Sequence, residues 1–293
     1  MSDKRWTIGA ILTWTKQYFE DKGVDNPRLD AEVLLSHILG KDRLYLYVNF
    51  DQPLQTEELA VYREAVKRRA MRTPVAYIVG RKEFMGLNFS VTPAVLIPRP
   101  DTEVLVETAL NRLKEMEQPR ILDLGTGSGA IVVSLLNRLA SARGVAVDLS
   151  AEALAVAGHN AATLGVADRL VFHQGDLWAP VKGQAFDAIM SNPPYITTAE
   201  LAGLAPEVRQ EPGLALAGGA DGLDFYRRIV AEGAHYLNPD GFIALEVGAG
   251  QAPAVGALAG EASGLKAVEV VRDYAGIERV VVLVRRVLCV PNI

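Results

Sequence analysis

The chain has 293 residues, 49% of them hydrophobic and 22% charged, with a formal net charge of −5. That composition is globular and excludes a disordered or collagen-like chain, and the acidic balance argues against a protein that lives on bare nucleic acid. A single cysteine, Cys289, permits neither an internal disulfide nor a Cys-rich zinc site, so the chain reads as cytoplasmic and metal-independent; no apolar run suits a membrane helix, and Met1 to Trp6 carry no signal-peptide core.

The charge is unevenly spread. Residues 1–90 carry a surplus of two positive charges and the remainder a deficit of seven. Lys67, Arg68, Arg69, Arg72, Arg81 and Lys82 supply the basic excess. They read either as a solvated helix face or as a docking patch for an acidic or RNA-bearing partner.

The first eighty residues read as helices. Ile8, Ile11, Leu12 and Phe19 recur at helical spacing within Trp6–Phe19. Asn26-Pro27 opens a second helix and Gly40 closes it, with Leu29, Val33, Leu34 and Ile38 on one side. Thr56, Glu57 and Glu58 open a third, reaching about Met71. Glu83–Val91 then looks like a hairpin with its turn near Gly86 and Asn88. Two prolines around Arg99 make Leu96–Glu103 stiff and extended, and a helix follows to about Met116.

After Pro119 strands and helices alternate. Strands are predicted at 120–124, 144–148, 170–173, 186–190, 241–247 and 279–284, with helices at 130–139 and 151–164. That series implies a parallel sheet with helices on both faces, an α/β fold. The Ala- and Gly-rich stretch 248–264 reads as a loop running into a helix.

Two motifs carry chemistry. The first is Asp123-x-Gly125-Thr126-Gly127-Ser128-Gly129, set between a strand and a helix, where open α/β sheets bind ligands. Glycines there let the backbone approach a ligand closely. Asp148 ends the next strand, where an acid accepts hydrogen bonds from ribose hydroxyls. Ala130 at the last fingerprint position leaves NAD open. The Asp-x-Gly-x-Gly-x-Gly pattern is the one S-adenosylmethionine-dependent methyltransferases carry. Asp123 then meets the ammonium of that cofactor, and Asp176, beside Leu177, sits where the class contacts adenine.

The second motif is Asn192-Pro193-Pro194-Tyr195, directly after the strand 186–190. The Asn carboxamide offers an acceptor and two donors. The Pro193 carbonyl, held by two stiff residues, can accept a second N–H from the same amino group. Tyr195 can pack against a planar group. The set orients a planar NH2 toward an electrophilic methyl carbon, and adenine N6, cytosine N4 and a glutamine amide all satisfy it. The acidic balance beyond residue 90 favours an uncharged protein side chain over a nucleic acid.

With these residues in view, the chain resembles the protein-(glutamine-N5) methyltransferases of bacterial peptide-chain release factors, the HemK/PrmC family. The likeness runs through Phe84-Met85-Gly86, Leu96–Glu103, Leu122–Gly129, Ser191–Ile196, Glu211-Pro212, Glu246-Val247-Gly248 and Arg272–Gly276. It implies a Rossmann-like class I methyltransferase domain with a seven-stranded, mostly parallel sheet, a small N-terminal helical bundle and a connecting β-hairpin. The expected division is 1–80 for substrate recognition, 81–98 for the hairpin linker and 99–293 for catalysis.

The resemblance also implies S-adenosyl-L-methionine as cofactor, held by Asp123, Gly125 to Gly129, Asp148, Asp176, Leu177 and Asn192. Asn192, Pro193, Pro194 and Tyr195 would then bind the glutamine of a Gly-Gly-Gln motif, with Asn192, Pro193 and Tyr195 acting in catalysis. The implied partner is a class I release factor bound by a monomer, with no membrane and no sequence-specific nucleic acid. The competing readings are a ribosomal-protein glutamine or adenine-N6 methyltransferase, an NAD oxidoreductase, and a release-factor adaptor with an inactive core.

Overall fold

The computed structural model describes residues 6–260 and 263–286, so Cys289 and the residues before Trp6 lie outside it. Contacts divide the chain into two units: the chain up to Arg81 with Ala205–Gln210, and Lys82–Leu204 with the chain from Glu211.

In the first unit, α1 (Ile8–Asp21) is capped by the Thr7 hydroxyl, which accepts from the Ala10 amide at 3.2 Å. Pro27 starts α2 (Pro27–Leu39) and Gly40, in the left-handed region, ends it. A short α3 (Arg43–Val48), α4 (Thr56–Ala70) and α5 (Val75–Val79) follow. The cap of α4 is Gln55, in a reciprocal box with Glu58, one residue earlier than the sequence suggested. Ile8, Leu12, Phe19, Leu34, Leu35 and Tyr62 form the core. Leu29 is exposed instead, because α2 turns Ala31, Leu34 and Leu35 inward.

The basic cluster is not one surface. Arg69 is 5% exposed, its guanidinium forked between Asp30 at 2.7 Å and Glu207 at 2.8 Å. Arg72 pairs with Glu207 at 3.1 Å. Two of the six cations therefore serve the interior of this unit, while Lys67 and Arg68 stay outside.

The second unit begins within the hairpin formed by β1 (Arg81–Phe84) and β2 (Leu87–Ser90). Its turn is Met85-Gly86, both at positive φ, and Asn88 lies within β2 rather than in the turn. The Met85 amide donates to Glu103 of α6 (Pro100–Leu113) at 2.7 Å. The chain continues through β3 (Arg120–Leu124), α7 (Ala130–Arg138), β4 (Arg143–Asp148), α8 (Ala151–Thr163), β5 (Leu170–Gln174) and β6 (Phe186–Ser191). It closes with α9 (Thr198–Leu201), α10 (Asp224–Gly233), β7 (Leu237–Glu246), α11 (Ala252–Leu258), β8 (Leu265–Arg272) and β9 (Glu278–Arg285).

The sheet has seven strands in the order β5-β4-β3-β6-β7-β9-β8. All pairs are parallel except those made by β9. The expected seven-stranded, mostly parallel α/β fold is present. Strand side chains alternate between two cores. Ile121, Ala188, Met190, Phe242 and Ala244 join α6 and α7 on one face. Leu122, Leu124, Ile189, Ile243 and Leu245 face α10 and α11 on the other. No helix among the described residues is long and apolar enough to cross a membrane.

Candidate active site

Strand order reverses at β3: β4 and β5 lie to one side, β6 and β7 to the other. Open α/β sheets leave a crevice at such a point, beyond the carboxyl ends of the strands. A cavity of about 350 Å³ lies there, in the size range of small-molecule sites. Its wall includes Gly125 to Ser128 after β3, Asp148 at the end of β4, Asp176 and Leu177 after β5, and Asn192 to Pro194 after β6. The two motifs, far apart in the chain, thus face one cavity because Asp123 and Met190 are direct neighbours in the sheet.

The glycine loop is held from below. The amides of Gly125 and Thr126 both donate to the Val147 carbonyl, at 2.8 and 3.0 Å. The Gly127 amide donates to Asp148 Oδ2 at 2.8 Å, and Asp148 Oδ1 accepts from the Ser150 amide at 2.9 Å. Gly127 has φ +56, and a Cβ added there would meet no atom within 4 Å, so its bare face is open. Gly129, at φ +78, does not line the cavity; a Cβ there would press on Ala157 at 3.2 Å and Val133 at 3.3 Å, so this glycine lets α7 and α8 approach.

Asn160 was not anticipated. It is 1% exposed, donates to the Ser128 carbonyl at 2.9 Å, and exchanges two hydrogen bonds with the Ser90 backbone. One buried carboxamide therefore fixes both the glycine loop and the hairpin. Glu211 does similar work elsewhere: buried, it accepts from the Ile97 amide at 3.1 Å and pairs with Arg99. That clamps the stiff stretch before α6 beside Pro212, which also lines the cavity.

Asp123 lies beneath the loop, fully buried and away from the cavity lining. Its Oδ2 accepts from the Thr126 hydroxyl at 2.7 Å, and its Oδ1 has no hydrogen-bond partner among the described residues. Asp176 is exposed and paired with Arg228 at 2.7 Å. Tyr195 packs, partly buried, against the core under α10 and α11, and its carbonyl accepts from Gln251 at 3.0 Å. Its neighbour Ile196 is pinned to Leu216 and Gly218, so the tetrapeptide is anchored at its far end.

At the near end, the Asn192 amide nitrogen donates to the Thr102 hydroxyl at 3.2 Å. Thr102 and Asn192 both favour the ionised form of the carboxylate of Glu246, the last residue of β7. Thr102 and Glu246 both lie in stretches that carry the family likeness, but neither had a role in the site assigned from the sequence.

Burial raises two carboxyls. It pushes Asp123 up to about 7 against the Thr126 hydrogen bond, and Glu246 up to about 7 against the Thr102 hydroxyl and the Arg279 guanidinium. In the unfolded chain both ionise near ~4. Between about pH 4 and 7 the folded state therefore holds protons that the unfolded state has lost, and stability falls as pH rises through that window, levelling off above it. Denaturant midpoints of the cofactor-free protein should decline across this range. The double variant Asp123→Asn, Glu246→Gln should decline less, and an equal decline in both proteins would contradict the assignment.

Residues 10–80 match the family model described as the PrmC N-terminal domain, and residues 100–206 the model described as the methyltransferase small domain. A release factor glutamine methyltransferase of Geobacter sulfurreducens is 53% identical over 251 residues, covering 85% of this chain and 87% of that one. The chain belongs to the release factor glutamine methyltransferases. The Moorella thermoacetica member is 47% identical over 264 residues, covering 90% of this chain and 93% of its own. Among solved structures, the hMettl16 catalytic domain in complex with MAT2A 3′UTR hairpin 1 aligns with a TM-score of 0.54 at 15% identity, over 78% of this chain and 80% of that one. That likeness shows the fold. As a release factor glutamine methyltransferase the chain is an enzyme, and the oxidoreductase and inactive-adaptor readings fall away.

Proposed function

We propose that the protein transfers a methyl group from S-adenosyl-L-methionine to the side-chain amide nitrogen of the glutamine in the Gly-Gly-Gln motif of class I peptide-chain release factors. The observation that carries this is the shared cavity. Asn192-Pro193-Pro194 and the glycine loop with Asp148 line the same space at the strand switch point.

The residues present fit the cofactor. Gly125 and Gly127 offer bare backbone to a ligand, with open space where a side chain would stand. Each Asp148 oxygen already accepts one backbone N–H and keeps a lone pair for a ribose hydroxyl. Leu177, at φ +45 beside Asp176, presents an apolar surface to the cavity where a base ring would lie. Beneath the loop, Asp123 would supply negative potential for an ammonium once ionised, above the value of about 7 to which burial raises it. When bound, this cofactor supplies a methyl carbon activated by its sulfonium.

The chain's own part is alignment. Asn192 accepts one N–H of the glutamine amide and the Pro193 carbonyl accepts the other, which turns the nitrogen lone pair toward the methyl carbon. Fixed acceptors on both N–H groups also stabilise the positive charge that grows on this nitrogen as the N–C bond forms and the methyl–sulfur bond breaks, before the extra proton is lost. Positioning of this kind is worth up to roughly 7–11 kcal/mol in well-oriented systems. In this reading Tyr195 acts from behind, holding the tetrapeptide by its packing.

The helical segment, assigned to residues 1–80, recognises the body of the factor. Residues 81–98 form the hairpin linker, and 99–293 carry out the chemistry. The protein works as a cytoplasmic monomer. Incubation with cofactor and a purified release factor should add the mass of one methylene to the Gly-Gly-Gln peptide. An unmodified peptide under conditions where calorimetry shows cofactor bound would overturn the substrate assignment.

A further inference from the structure

Glu246 is 1% exposed at the carboxyl end of β7. A group that can carry charge, so buried, is costly unless it is paired. The nearby cation is not its dedicated partner. Arg279 spends its guanidinium on Asp101 and Asp273, at 2.8 Å each. Glu246 Oε2 has no hydrogen-bond partner among the described residues. The carboxylate is therefore not explained as an anchor of the fold.

Its place in the sheet is specific. Ser191 pairs with Leu245, which brings Asn192 and Glu246 side by side at the ends of adjacent parallel strands. Met190 and Ala244 point to the face covered by α6, and with a period of two Asn192 and Glu246 point the same way. Thr102 meets them there from the first turn of α6, itself buried. The Asn192 amide nitrogen donates to Thr102 Oγ1. Thr102 has one hydroxyl proton to give, and Thr102 and Asn192 each favour the ionised form of the Glu246 carboxylate.

We propose that Glu246 is a positioning residue that, directly and through Thr102, draws the NH2 end of the Asn192 carboxamide inward and leaves its oxygen facing the cavity. The ionised carboxylate can only accept hydrogen bonds, so every donor in the cluster runs toward it. Asn192 is then presented to the ligand as an acceptor, which selects a substrate group bearing an N–H. A protonated Glu246 would donate instead, and the carboxamide would lose its reason to keep that orientation.

Burial places this ionisation near pH 7. The groups facing it are Arg279 from β9, Asp101 from α6, Tyr195 after β6 and Tyr226 of α10, whose hydroxyl donates to the Glu246 carbonyl at 2.8 Å.

The inference rests on the glutamine reading above for its consequence in turnover, but the orientation itself can be observed without substrate. In the full-length protein bound to S-adenosylhomocysteine, the side-chain 1H–15N pair of Asn192 should shift with pH, with a midpoint near 7, and Glu246→Gln should abolish the transition. In methylation of a release factor, E246Q should lower kcat roughly tenfold, about the effect of one buried charged hydrogen bond, and leave KM little changed. The wild-type rise in kcat toward pH 7 should disappear with it.

If E246Q does not fold, Thr102→Val interrupts the same relay with Glu246 in place and should cost kcat in the same way. An Asn192 signal that ignores pH would overturn the proposal, as would a pH transition that persists in E246Q, which would belong to Asp123. Failure of the wild-type enzyme to modify the factor at all would count against the substrate reading, with the Asn192 signal still deciding this one.

Discussion

Asn192→Ala is expected to lower turnover roughly 100-fold or more, the scale on which a positioned active-site hydrogen-bonding group acts, while cofactor affinity stays within about tenfold. The asymmetry follows from where the contacts lie. Gly125 to Ser128, Asp148 and Asp176 approach the cavity from β3, β4 and β5, and none of them leans on the Asn192 side chain. The variant removes the donor that Thr102 receives and, on the proposed mechanism, the acceptor for the substrate N–H. Single-turnover rates beside calorimetric titration of the cofactor separate the two effects. A rate close to wild type would remove Asn192 from the mechanism, and a collapse of cofactor binding would make it a cofactor ligand first.

The sequence made the frame of this site readable, because local signals marked it. Short apolar strands, the glycine loop and the Asn-Pro-Pro run each sit where β3 and β6 end, and the strand and helix series was enough to infer a parallel sheet. What stayed hidden depends on partners remote in the chain. Strand β8 is exposed along most of its length, so its apolar residues mark no buried face, and pairing with β9 makes it a strand. Thr102 and Glu246 lie in stretches that mark the family, but nothing local to a helix start or a strand end gives either of them a task. They become part of the site only when β7 settles beside β6 and α6 covers them.

Tyr195 adjoins Asn192 in the chain and packs, partly buried, against the core under α10 and α11, while its side chain also senses Glu246 and Arg99. Asp123 likewise carries the right chemistry one layer deeper than the cavity wall. Local sequence proposes which groups can react, and the long-range packing decides which of them meets the ligand.

Arg69 shows the same principle at the largest cost in stability. Read along the chain it belongs to a run of cations, and charge reversal there would seem to test docking of the substrate. In the structure its guanidinium is enclosed, and Asp30 and Glu207, 39 and 138 residues away, approach it from separate segments of the first unit. Burial outweighs Arg69 in setting the Asp30 carboxyl, which is raised above its ordinary value. Replacing Arg69 by methionine leaves the largely buried Asp30 without its cation and Glu207 with Arg72 alone, and breaking a buried pair in this way typically costs about 3–5 kcal/mol. The variant should unfold at markedly lower denaturant, whereas Lys67→Glu, on an exposed side chain, should shift stability by no more than about 0.5 kcal/mol. If Arg69→Met proved as stable as wild type and instead lost only affinity for the release factor, Arg69 would belong to the recognition surface after all.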